Sequence, residues 1–184
     1  MGNSKSIVLS LMFLCVSLFA AKSFAQEDFL LYEHNCGMLT IGMAADDLYR
    51  YYNRDNIKLV DLNYEGHFTP AFEIHIDGNS SHDASLHALI DKKDWWIIDR
   101  IIVFDERFVT VKGIRVGSNM GEVRKNYAIT TAGTGEGNIS IYIDEIKMSF
   151  CLEIDLIDLP RGWQNTNEEN SIPDSTKIKW IGLR

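Results

Sequence analysis

Lys112 to Tyr127 reads KGIRVGSNMGEVRKNY, and an earlier stretch, Thr40 to Tyr52, reads TIGMAADDLYRYY. The two share one design. Ile41-Gly42 answers Val116-Gly117, Asp47-Leu48 answers Glu122-Val123, and Tyr52 answers Tyr127, always 75 residues apart. Further on, Phe72 to Asp77 (FEIHID) answers Phe150 to Asp155 (FCLEID) at a separation of 78. Matching blocks in the same order predict a tandem duplication with a small insertion.

Each block places an apolar-Gly pair before a helix. Asn119 and Glu122 have the spacing of a capping box, which starts the second helix at Met120 and turns Val123 and Tyr127 inward. The first helix is expected from near Ala44, with Asp46 and Asp47 at the positive end of its dipole and Arg50 and Arg54 at the negative end. Gly42 and Gly117 are read as structural, each serving a turn that needs positive φ or close backbone approach.

The segments between the helices carry strand patterns. Residues 57–65 and 71–77 read as an antiparallel pair; Phe72, Ile74 and Ile76 share one face, while Glu73, His75 and Asp77 share the other. Residues 78–94 form a polar insertion in which Leu86, Leu89 and Ile90 are spaced for a short helix. Residues 95–104 are the most apolar run after the leader, as expected of a central strand buried on both sides. In the second unit 132–137 reads as a glycine-rich turn. Ile139, Ile141 and Ile143 alternate along one strand, and Met148, Phe150, Leu152 and Ile154 along the next. Residues 159–176 show no periodicity and read as an exposed loop, and 177–183 closes the chain as a strand. The expected fold class is α+β: two tandem helix-strand-strand-strand repeats forming antiparallel sheets backed by helices. Repeat one covers 26–112 and repeat two 113–184.

Residues 1–25 read as a signal peptide, with Lys5 in a positive n-region, an apolar run from Ile7 to Ala21, and Ser23-Phe24-Ala25 as a small-residue cleavage pattern. The run is short for a membrane span, and the large residues before Cys15 disfavour a lipid anchor there. A secreted or periplasmic location is the expectation, with no transmembrane segment after cleavage. The leader holds two Lys and no acids, so its removal takes the formal charge from −8 to −10. An acidic chain without basic clusters argues against nucleic acid as a partner. Cys36 and Cys151 remain, an even pair that an exported chain could bridge.

The paired signature of an apolar-Gly step and an acidic helix ending in Tyr resembles the tandem repeats of the β-lactamase inhibitor protein class. The likeness of pattern covers roughly residues 39–183 and is strongest at the two glycine-led helix starts. The resemblance implies helices behind a curved sheet whose free face grips another protein. Neither repeat shows that protein's internal disulfide, so inhibition of a β-lactamase is not carried over.

His67, His75, His82 and His87 fall within 21 residues, with Glu73, Asp77 and Asp83 among them. Imidazole and carboxylate suit a divalent metal, and His75, Asp77, His82 and His87 are the candidate ligands. The spacing matches no strong metal motif, and scattered surface histidines are the simpler reading. Ser80-Ser81-His82-Asp83 strings together the side chains of a hydrolytic triad, but a triad is assembled from separate elements. Gly133 to Gly137 precedes a strand where a phosphate loop would precede a helix. Asn79-Ser80-Ser81 and Asn138-Ile139-Ser140 have the pattern of glycosylation sites.

The favoured reading is a non-enzymatic exported module, without a cofactor, that binds a protein or envelope component. Glu73, His75, Asp77, Tyr142 and Glu153 on polar strand faces, and Trp163 on the long loop, are its candidate binding residues. The alternative is a small hydrolase or metal-binding protein centred on residues 67–87.

Overall fold

The computed structural model describes residues 28–64, 66–76, 84–91, 93, 96–135, 138–166 and 168–184. The proposed leader, together with Asp77, Asn79 and the run Ser80 to Asp83, lies outside them.

Twelve strands are described. In chain order they are β1 (Leu30–Leu31), β2 (Asn35–Cys36), β3 (Leu39–Thr40), β4 (Ile57–Tyr64), β5 (His67–Ile74), β6 (Leu86–Ile90), β7 (Ile98–Val103), β8 (Val109–Thr110), β9 (Thr131–Gly135), β10 (Asn138–Ile143), β11 (Met148–Leu152) and β12 (Ile178–Leu183). The α-helices are α1 (Leu48–Tyr51), α2 (Met120–Asn126) and α3 (Trp163–Thr166).

The strands form a small sheet in the order β3-β2-β1-β8 and an eight-stranded sheet in the order β4-β5-β6-β7-β12-β11-β10-β9. Every neighbouring pair in the large sheet is antiparallel. Its left half comes from residues 57–103 and its right half from 131–183, and the two meet where β7 pairs with β12.

This architecture corrects the fold class expected from the sequence. Strands make up 43% of the described residues and helix 20%, so the fold is mostly β and not a pair of helix-backed repeats. The capping box of α2 is genuine, but both helices are brief. Tyr52 and Tyr127, the residues that close α1 and α2, already have extended backbones. A helix of four to seven residues presents only one or two inward side chains, too few to back a sheet. In α1 that residue is Leu48, and in α2 they are Met120 and Val123.

Each half also supplies four strands where three were expected. Leu86 to Ile90, read as a short helix, is strand β6. Most of the expected glycine turn at 132–137 is edge strand β9, whose residues 131–135 pair with β10. Five apolar-rich residues fit either period, and here a neighbouring strand's free hydrogen bonds settle the choice.

Alternation sets the two faces of the large sheet. Phe72, Ile74, Leu86, Ile101, Val103, Ile141, Phe150 and Ile181 point into one continuous core, which also takes Leu31, Cys36 and Leu39 of the small sheet, Leu48, and Val123. The segment 159–176, expected to be an exposed loop, contributes Leu159, Trp163 and Ile172 to the same core. Trp163 is 2% exposed, and its indole N–H donates to the Glu168 carbonyl at 2.8 Å. It is an anchor of the covering layer and not a surface aromatic. Three apolar residues at irregular spacing leave no periodic trace in the sequence, yet they suffice to pin a loop over a sheet.

Candidate functional site

The other face of the large sheet carries a groove of about 470 Å³. At the central seam Ile102 of β7 faces Gly182 of β12. Because side chains alternate, Arg100 and Phe104 flank Ile102 on this face, and Trp180 and Arg184 flank Gly182. All six line the groove, with Ser149, Ser140 and Tyr142 continuing it across β11 and β10.

Gly182 makes the floor dip. A Cβ built there would stand 2.6 Å from Ser149 Oγ and 3.2 Å from the Trp180 ring. On the same face Ala71, Leu89 and Ile102 form a second buried cluster, in which Leu89 is the cross-strand partner of Arg100, with Val60, Leu62, Phe104 and Trp180 packed against it. The Trp180 and Phe104 rings are therefore partly held by this cluster.

A polar row runs from the groove to the β4 edge. Lys58, Glu73 and His87 are successive cross-strand partners. Lys58 Nζ lies 3.8 Å from Glu73 Oε2, and His87 Nε2 lies 3.9 Å from Glu73 Oε1. The His87 ring meets Phe104 edge to face at 4.8 Å. Burial pushes the His87 pKa down; Glu73 works against this and His75 adds to it. His87 is thus a largely neutral imidazole at pH 7.

The sequence-derived candidates separate in space. Tyr142 lines the groove, and Glu73 borders it through His87. His75 follows β5, is 9% exposed and gives its backbone N–H to Asn56. Glu153 is exposed beyond the end of β11, with its N–H bonded to the Lys177 carbonyl. Trp163 is in the core. Asp77 and His82 lie outside the described residues. Among the described residues no three His, Cys, Asp or Glu side chains converge as a metal site would require.

Gly42 and Gly117 both have φ of +85°, and a Cβ at either would meet no atom within 4 Å. Of the two structural reasons for a glycine there, backbone conformation is the one that holds.

Cys36 and Cys151 are both free and buried. Cys36 sits in the small sheet, where burial and then Asp105 raise its pKa well above the ordinary thiol value. Cys151 is on the groove face between Ser140 and Trp180. Burial pushes its pKa up to about 11, against smaller opposing effects from Lys179 and Ser140. At both positions burial disfavours the thiolate form.

The residues that sequence reasoning missed are Arg100, Ile102, Phe104, Ser140, Ser149, Trp180 and Gly182. One signal was present. In 177–183 Trp180 and Gly182 alternate against Ile181 and Leu183, placing an aromatic and a glycine together on the face away from the core.

No family model matches the chain, and no curated protein matches it. Among solved structures it is similar to the uncharacterized protein yfeY from Escherichia coli, with a TM-score of 0.60 and 15% identity over 84% of this chain and 98% of that one. That likeness concerns the fold alone.

Proposed function

We propose that this chain is an exported, non-enzymatic module that holds another protein against the free face of its eight-stranded sheet. The observation that carries the reading is the groove itself. It combines half-buried aromatic rings, hydroxyl and amide side chains and a guanidinium on adjacent, rigidly paired strands. Aromatic and Arg side chains enclosed by polar groups are the composition of recognition patches. The leader pattern at 1–25 supports export. Burial holds Cys151 in its protonated form, which disfavours a thiolate nucleophile on this face. The alternative built on the histidines has less support, since the described part of that segment offers only the His87–Glu73 approach at 3.9 Å.

A photo-crosslinking amino acid at Tyr142, compared with one at exposed Lys125 on α2, tests the reading in the cells that make the protein. A discrete protein adduct is expected from position 142 and not from 125. Equal adducts from both positions, or an adduct from 125 alone, would remove the groove from consideration.

A further inference from the structure

The groove is not uniform along its length. β7 and β12 run antiparallel about the Ile102–Gly182 pair. Arg100 and Arg184 therefore lie at one end, and Phe104 and Trp180 at the other. β11 pairs Ser149 with Gly182, which brings Lys147 to the same end as the two arginines. Three cations thus stand side by side on neighbouring strands, and among the described residues no Asp or Glu side chain lines the groove. Across the whole chain acids outnumber bases by 26 to 18, so the groove reverses the sign of its surroundings.

Like charges in register across strands are unfavourable for the fold alone. Asp144, which pairs with Lys147, offsets part of the charge. Arg100 also has an interaction within the fold. A guanidinium offers five N–H donors, however, so Arg100 can keep that interaction and still meet a bound carboxylate.

Resting on the protein-binding reading above, we infer that the groove receives an acidic polypeptide segment, its carboxylates at the Arg100–Arg184–Lys147 end and an apolar side chain at the Phe104–Trp180 end. From residue 100 to residue 104 a strand advances about 13 Å, a span that four residues of an extended peptide also cover. Ser140, Ser149 and Asn138 interrupt the apolar lining. They suit the amides of a peptide better than the continuous hydrocarbon of an acyl chain.

The test is selection from a displayed random-peptide library on the purified protein, followed by anisotropy titrations of the selected peptides. Enrichment of Asp or Glu about four residues from an aromatic or aliphatic residue is expected. Replacing those acids by Asn and Gln should weaken binding by about tenfold or more, as for loss of a charge-assisted hydrogen bond. Arg100→Gln should weaken the acidic peptide and leave its neutral isostere unchanged. Should Arg100→Gln lose stability, Lys147→Gln is the second variant: its ammonium is partly exposed, and its loss should weaken the acidic peptide while leaving the neutral isostere unchanged.

Selected peptides that are neutral or basic, yet are lost on groove substitution, would overturn the charge assignment and leave the binding face standing. Peptides indifferent to every groove substitution would overturn both. Failure to select any peptide, with or without binding to phosphatidylglycerol vesicles, would overturn the inference as well.

Discussion

Gly182 faces Ile102 across the seam where the two halves of the large sheet pair, and its missing side chain is what opens the groove floor. A methyl group at 182 would lie 2.6 Å from Ser149 Oγ and 3.2 Å from the Trp180 ring. Gly182→Ala should therefore destabilise by about 1–3 kcal/mol, the range for overpacking. Ser149→Ala removes the nearer atom, so the double variant should recover part of the loss. Urea melts of the four proteins in this cycle measure the coupling, and strict additivity would show that the two positions do not meet.

Gly42 and Gly117 differ from Gly182, because open space surrounds both and only their φ of +85° restricts them. Alanine at either should cost about 1 kcal/mol through backbone strain, and asparagine less, since Asn tolerates the left-handed region better. Equal melting temperatures for Ala and Asn variants would argue against the conformational explanation.

The Tyr127 hydroxyl is buried with no hydrogen-bond partner among the described residues. Its ring remains useful, with Lys112 Nζ 4.5 Å from the centroid. A buried polar group without a partner carries a desolvation cost of about 1–3 kcal/mol. Tyr127→Phe should leave stability unchanged or raise it, while Tyr127→Ala should lower it sharply. A clear drop in melting temperature for the Phe variant would reveal a partner for the hydroxyl.

The folded state raises the Cys151 pKa to about 11 from an ordinary value of 9.0. A raised pKa contributes stability that is complete below the unfolded value, and is lost as pH climbs through the folded one. Stability should thus decline between about pH 9 and 11, and this decline should be smaller in Cys151→Ala. The same burial predicts that maleimide labels position 151 only after denaturant is added, with mass mapping as the readout. Rapid labelling of the native protein at pH 8 would contradict it.

Much of the strand layout was legible in the chain. Ile139, Ile141 and Ile143 alternate in sequence and are fully buried in β10, because a period of two places them all on one side of the sheet. The capping box was equally readable. Asn119 and Glu122 bond to each other's backbone N–H groups as their spacing requires, at 3.0 and 2.8 Å. Leu86 to Ile90 and Trp163 were misread for opposite reasons. The first is too short for its period to discriminate helix from strand, and the second is buried through contacts distant in sequence.

The candidate site was less legible. Tyr142 was found because it alternates with core isoleucines, but Arg100 and Phe104 were hidden inside a run that read as buried on both sides, and Trp180 inside a closing strand whose faces were not assigned.

Local patterning therefore determined by itself where α2 starts and which side of β10 turns inward. Those features depend on residues within a few positions of one another. Only the tertiary structure decided that β7 and β12 pair at Ile102 and Gly182, and so that Arg100, Arg184 and Lys147 share one end of a groove. Strand neighbours some 80 residues apart are chosen by the packing of the whole sheet, and that choice leaves no mark on any single segment.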